Sequence, residues 1–526
     1  MKTTLLLGFA FAIALSFTAT AEELHRVPIK RIRRSSAHKD ESTSHQHART
    51  LAKYTNHAGN KSPSSLTRVE HSEAPKSDAK GQQPQSSEKQ DGTGSDFDSS
   101  ARRSQRIDAA RFPIEYNPSG TAFVGRVGIG SPSQYFNLEF DIGSADTWVT
   151  TVHANCSTNT PCPATRHVFS PKRSSTFQAT PNLEWTLQFS DGAQVNGTLV
   201  SDLIRVGGFQ VEHQVIGLAN SLKNVKENGI DGSFGLGLRD LTFNGDATPV
   251  ENLIYAHAML SEVGVWLGVG NQGGELIFGG RDRARYIGEI SYFDLPQASS
   301  YWSTAVQSIA VVTNSAASNP DSAKEPKQRG KPTVTSINAR VGQGTGTSLP
   351  NVIFDTSTNL IVLPPRVARK VHQAIHHSFF GLYTGYNIFT RTYTVPCDLI
   401  EKETAVWIEL GPTSLPRSVD EVAKTTSDND DEDNSEPKGS TDSERKMMRK
   451  NASSTNNRFR ILGRDIVRER VAVIGGLFNT CHSGIQESKS DEDDWVLGNI
   501  WFMNNYMTLD HKNRQVGIAP AVQPET

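Results

Sequence analysis

The sequence predicts a mostly β protein built from two similar halves. Three observations carry that reading. From Phe112 onward the chain runs in short β-rich stretches with period-2 alternation, broken by Gly, Pro, Asn and Asp. An apolar run ending in one Asp and a turn of small and hydroxyl residues occurs twice, as Leu138-Glu139-Phe140-Asp141-Ile142-Gly143-Ser144 and as Val352-Ile353-Phe354-Asp355-Thr356-Ser357-Thr358. The length, 526 residues, is enough for two or more domains. Such an internal echo suggests two half-molecules that bring two carboxylates together. Carboxylates at close range cannot both ionise easily, so they share a proton, and the pair can activate a water for peptide-bond hydrolysis.

Residues 1–21 read as a secretory signal: Lys2 gives the positive start, Leu5 to Phe17 is apolar, and Ala19-Thr20-Ala21 offers small residues before a cut. The rival, a membrane anchor, needs a longer apolar run. No later stretch reads as a membrane span or a lipid-anchor tail. Residues 22–111 read as propeptide and disordered linker. The start, Leu24 to Arg34, interleaves basic and apolar residues, and a Ser-, Lys-, His- and Gln-rich stretch follows that should not fold alone. Arg102-Arg103 is a processing site in this reading. The bland alternative is a solvated tail; the sharper one is a pro-segment whose basic part occupies an acidic cleft until removal. His45 and His47 in this leader lack a metal pattern and read as solvated.

The rest divides into two lobes, 112–296 and 297–526, each with one motif Asp. Expected strands include Ala122 to Ile129, Trp185 to Phe189 and Glu275 to Phe278. Helical patches begin at Pro249 and Pro365. His372 and His376, four apart on the second, lack a completing carboxylate and read as a surface helix. Residues 314–348 and 417–457 are low-complexity inserts that read as disordered surface loops. The balance of 36% hydrophobic residues and a mean hydropathy of −0.46 fits a globular protein diluted by such segments. A net charge of −2 points to neither nucleic acid nor a membrane surface. The four cysteines allow three pairings, and proximity favours Cys156–Cys162 with Cys397–Cys481. A zinc site is the rival, with His153 and His482 nearby, but the C-x2-C spacing is missing. Asn60, Asn155, Asn196 and Asn451 head glycosylation sequons.

From about Tyr116 to Pro520 the chain resembles the pepsin-like aspartic endopeptidases. Asp141-Ile142-Gly143-Ser144 is similar to the family's first Asp-Thr-Gly-Ser motif, with Trp148 at the expected distance, and Asp355-Thr356-Ser357-Thr358 to its second. Ser233-Phe234-Gly235 and Val496-Leu497-Gly498 fill the places of the segments that cross behind the catalytic loops. Ile129 to Gln134, Ala247 to Val250, Phe278-Gly279-Gly280, Tyr301-Trp302 and Asn513 to Pro520 follow in family order.

The resemblance implies a bilobal double β-barrel with pseudo-two-fold symmetry and a cleft between the lobes. It implies that Asp141 and Asp355 hold one water, one carboxylate taking its proton and the other, protonated, bonding the scissile carbonyl. Ser144 and Thr358 would bond their outer oxygens, with Gly143 and Thr356 completing the loops. Phe189, Ser190, Asp191 and Gly192 would form a flap that closes over an extended peptide. No metal, cofactor or covalent intermediate is needed. The partners implied are peptide or protein substrates and the chain's own propeptide, for a monomer in the secretory pathway, outside the cell or in an acidic vacuole. The cysteines fall at two of the family's usual disulfides.

Four departures bear on activity. Ile142 replaces a Thr whose hydroxyl ties the two loops together, Ser357 replaces a Gly, Phe189 replaces the flap Tyr, and Asn499 stands where many members have an Asp. Glu139 lies two residues before Asp141, on the same strand face, at a place usually apolar. It would favour a basic side chain in one subsite, unless it pairs with a neighbouring Lys or Arg. The alternative function is a catalytically impaired relative that binds peptides without cleaving them. A glycosidase also uses two carboxylates, but the duplicated motifs, the hairpin and the leader speak against it.

Overall fold

The structure, a computed structural model, describes residue 47 and, from 110 to 523, all but residues 117–121, 158–159, 162–165, 189–193, 224, 226–229, 270–272, 314–332, 340–348, 376–384, 389, 402–403, 412–456 and 472–479. Strands dominate it, and their alternation places them. In Gln134–Asp141 the residues Gln134, Phe136, Leu138 and Phe140 are buried, while Tyr135, Asn137 and Glu139 between them are less so. One face of the strand therefore feeds the core, and Asp141 stands at its end on the opposite face, the face of Glu139.

The protein is mostly β and bilobal. A 14-stranded sheet begins with Ser291–Asp294, Gln515–Pro520, Asn505–Asp510, Glu262–Leu267, Gly274–Phe278 and Ala110–Tyr116. It then continues through Phe123–Ile129, Gln134–Asp141 and Gly232–Gly235 into the N-terminal half. Strands from both ends of the chain thus share one sheet, whose rings knit the lobe together: Phe140 lies 5.1 Å from Phe112 and 4.9 Å from Phe234. The C-terminal half has an eight-stranded sheet running through Ser303–Thr313, Asn351–Phe354, Trp495–Leu497 and Ile361–Leu363 to Ile485–Glu487, and a separate four-stranded one.

The helix Pro249–Tyr255 opens on a capping box: the Glu251 N–H donates to Thr248 Oγ1 at 3.3 Å, and the Thr248 N–H to Glu251 Oε2 at 3.0 Å. The second expected helix runs Pro365–Ile375. Its His372 is not on a surface. It is 4% exposed, stacked 4.1 Å from the Tyr393 ring, with Nδ1 2.7 Å from the Ala368 carbonyl and Nε2 2.9 Å from Ser483 Oγ. Burial pushes its pKa down to about 4, so it packs as a neutral core residue; His376 lies outside the described residues.

The insert 314–348 is not wholly a loop. Thr333–Asn338 is a strand paired antiparallel with Ser303–Thr313, and Ile337 and Ala339 are buried. Its Val, Thr and Ile suit a pleated edge, which the Ser-, Gly- and Lys-rich surroundings conceal. Of the insert 417–457, all but Asn457 lies outside the described residues. Cys397 is bonded to Cys481 across a separation of 84 residues. Cys156 is disulfide-bonded as well, and Cys162 lies outside the described residues. Asn155 is exposed and Asn196 half-buried, both on strands; Asn60 and Asn451 fall outside the described residues. No helix among the described residues is long and apolar enough to cross a membrane.

Candidate active site

Each motif Asp sits where a strand ends against a neighbour running parallel to it. Gln134–Asp141 pairs with Gly232–Gly235, and Asn351–Phe354 with Trp495–Leu497. The Leu236 N–H donates to the Asp141 carbonyl at 2.8 Å, and the Asp355 N–H to the Leu497 carbonyl at 3.1 Å. Close backbone approach holds both crossings: a Cβ on Gly235 would collide with the Ala145 backbone, and one on Gly498 with the carbonyls of Thr358 and Leu360.

The turns then fold back on their own carboxylates. Asp141 accepts from the Gly143 N–H through Oδ1 and from Ser144 Oγ through Oδ2, each at 2.7 Å. Asp355 accepts at Oδ1 from the Ser357 N–H and from Ser357 Oγ, each at 2.9 Å, and at Oδ2 from Thr358 Oγ1 at 2.5 Å. Asp141 is 7% exposed and Asp355 fully buried. From sequence Ser357 is only an added Cβ where a Gly is usual; the structure shows its hydroxyl as a second donor to Asp355.

The loops meet across the lobes. Thr356 Oγ1 donates to the Phe140 carbonyl at 2.6 Å and accepts from the Ile142 N–H at 3.1 Å. Trp302 Nε1 donates to the Leu236 carbonyl at 2.9 Å, a second tie that sequence reasoning missed. Ile142 is fully buried in the core. Asn499 is buried too, its Nδ2 donating to Asn359 Oδ1 at 2.7 Å.

Trp148 is 8% exposed and packs 6.2 Å from Trp185. Gln178–Gln188 and Gln194–Val206 pair antiparallel as far as Gln188 opposite Gln194. The flap residues Phe189, Ser190, Asp191 and Gly192 fall between these ends, outside the described residues. Glu139 is half-buried on the strand that delivers Asp141. Beside the first motif, Asp146 accepts from the Phe243 N–H at 3.2 Å; burial, helped by the charge of Asp246, pushes its pKa up to about 7. Among the described residues, no group of three or more His, Cys, Asp or Glu could hold a metal ion.

A family model described as eukaryotic aspartyl protease matches residues 122–325. Rhizopuspepsin of Rhizopus chinensis is 31% identical over 283 residues, 52% of this chain and 60% of that protein; this chain thus spans about 60% of that relative's length. Rhizopuspepsin-2 of Rhizopus niveus is 24% identical over 405 residues, 76% of this chain and 78% of the relative. Pregnancy-associated glycoprotein 2 of Bos taurus is 24% identical over 407 residues, 76% of this chain and 83% of the relative.

Proposed function

The chain belongs to the pepsin-like aspartic protease family, and from that premise we propose that it is an endopeptidase made as a secretory zymogen, acting through a water held between Asp141 and Asp355. The observation that carries the reading is the matched pair of strand ends. Each Asp is fixed by its own turn, and Thr356 ties one turn to the other.

In the proposed mechanism the two carboxylates share one proton. The ionised one takes a proton from water as the water attacks the scissile carbonyl. The protonated one donates to the carbonyl oxygen, where negative charge develops, and a proton then passes to the leaving amine. Atoms balance with one water consumed per bond cut. Ser144, Ser357 and Thr358 each hold a carboxylate oxygen in place, so geometry is fixed before substrate arrives. The titration belongs to the pair, and neither role is fixed to one residue. In the same reading residues 22–111 inhibit until removed, and Glu139 selects a basic side chain in one subsite.

A second reading, peptide binding without cleavage, is favoured by Ile142, whose side chain has no hydroxyl to make a matching bond to the loop of Thr356. Cleavage of a quenched peptide library from pH 3 to 7, with and without pepstatin, beside Asp141→Ala separates the two. Acid activity that pepstatin blocks and the variant loses is the expected result. A folded, leader-free protein inactive at every pH would overturn the enzyme reading.

A further inference from the structure

We propose that His47 fastens the leader to the end strand of the sheet that carries Asp355, with Glu487 and Arg391 forming its receiving site. The proposal rests on the zymogen reading only in taking residues 22–111 to be a leader that later departs. His47 is 1% exposed, and its Nε2 lies 2.6 Å from the backbone carbonyl of Glu487, 440 residues away. A carbonyl oxygen accepts, so Nε2 carries the proton and donates. Ile485–Glu487 ends the eight-stranded sheet, three places from Asn351–Phe354, which leads into Asp355. An end strand presents backbone groups that no further strand covers, and the leader's imidazole takes one of them.

The charged groups around this seat are already committed. The Glu487 carboxylate, 2% exposed, pairs with Arg391 at 3.0 Å and accepts from Tyr386 at 2.7 Å and Tyr393 at 3.2 Å. Behind Tyr393 stand His372, held neutral, and Arg369. A proton added to His47 would therefore sit in a buried place beside a carboxylate whose charge Arg391 already balances. Burial lowers the His47 pKa and Arg391 adds to that, against the opposing pull of Glu487 and its carbonyl.

The sign follows from linkage. Docked His47 titrates below its ordinary 6.5, so docking is at full strength above pH 6.5 and weakens as pH falls, by up to about tenfold per unit, until the docked value is reached. Release would thus begin at a pH above the ordinary carboxylate range.

The test uses the full-length precursor carrying Asp141→Asn, so that nothing cleaves itself, and follows hydrogen exchange over residues 41–55 from pH 7.5 to 5, corrected for intrinsic rates. The parent should be protected at pH 7.5 and lose protection below 6.5. His47→Ala should exchange at least about tenfold faster at pH 7.5. His47→Gln, which keeps an N–H donor but cannot take a proton, should stay protected at pH 5. Equal exchange in the parent and His47→Ala at pH 7.5 would overturn the proposal, as would equal loss of protection on acidification in the parent and His47→Gln. Exchange needs no catalysis, so an inactive enzyme that shows the His47 pattern would leave the docking standing and remove only the peptidase reading.

Discussion

The hydroxyl of Thr356 donates to the carbonyl of Phe140 at 2.6 Å, and the same oxygen accepts from the Ile142 N–H at 3.1 Å. One side chain thus serves two backbone groups of the opposite catalytic loop, and the Ile142 side chain has no hydroxyl to make the matching tie. Thr356→Val keeps the shape and strands a buried N–H and C=O. The expected cost is about 2–4 kcal/mol in urea unfolding, with kcat lowered on the order of tenfold. Ile142→Thr should move kcat upward. Unchanged kcat and stability in Thr356→Val would mean that the tie contributes nothing.

Much of this geometry was legible before the structure. Asp141 and Asp355 stand out because a strand, an Asp and a hydroxyl-bearing turn recur, and short-range pattern suffices to place such a unit. The helical patch that begins at Pro249 is equally local, and the structure adds the capping box of Thr248 and Glu251 at its start. What escaped is long-range. His372 reads as a surface residue until Ser483, 111 residues away, is seen beside its ring. The strand Thr333–Asn338 hides in a polar insert because its partner, not its neighbours, makes it a strand. Ser357 was read by its Cβ alone, since a sequence does not say where a hydroxyl points.

Ser357 gives a second prediction. Its N–H and Oγ both donate to Asp355 Oδ1 while Thr358 holds Oδ2. Donors aimed at a carboxylate favour its charged form. Ser357→Gly restores the family's usual residue and removes one donor. One limb of the pair's kcat/KM profile should then move to higher pH, by up to about one unit. An unmoved limb would show that the hydroxyl only fills space.

The proposed role of Glu139 predicts a change in specificity without a change in fold. Glu139→Leu should reduce cleavage at sites with Lys or Arg in one position and leave apolar sites as they were. Profiling against a peptide library checks this, and identical profiles would remove Glu139 from the substrate site.

The disulfide Cys397–Cys481 closes a loop across 84 residues. Cross-links of that span stabilise mainly by restricting the unfolded chain, by about 4 kcal/mol. Replacing both cysteines by Ser should lower unfolding stability by that order in denaturant titration. A loss below about 1 kcal/mol would show that the remaining chain already holds that loop.

Four buried groups with large shifts should give the pH dependence of stability opposed slopes. Burial, with the charge of Asp246, raises Asp146 to about 7, and burial with Asp493 raises Asp494 to about 6. Between their ordinary 3.8 and these values the folded protein holds protons that the unfolded chain has released, so stability falls as pH rises. Burial lowers His372 and His511 to about 4 each. Between 4 and their ordinary 6.5 the unfolded chain holds the extra protons, so stability rises with pH. Each such proton contributes a slope of ~1.4 kcal/mol per pH unit. From pH 4 to 6 two slopes of each sign cancel, and these four groups leave the wild type nearly flat. Removing one member should expose the other sign. Asp146→Asn should become more stable with rising pH across that range, and His372→Gln less stable. Urea unfolding at half-unit intervals from pH 4 to 6.5 measures both, and parallel curves for wild type and variants would show that these groups do not set the profile.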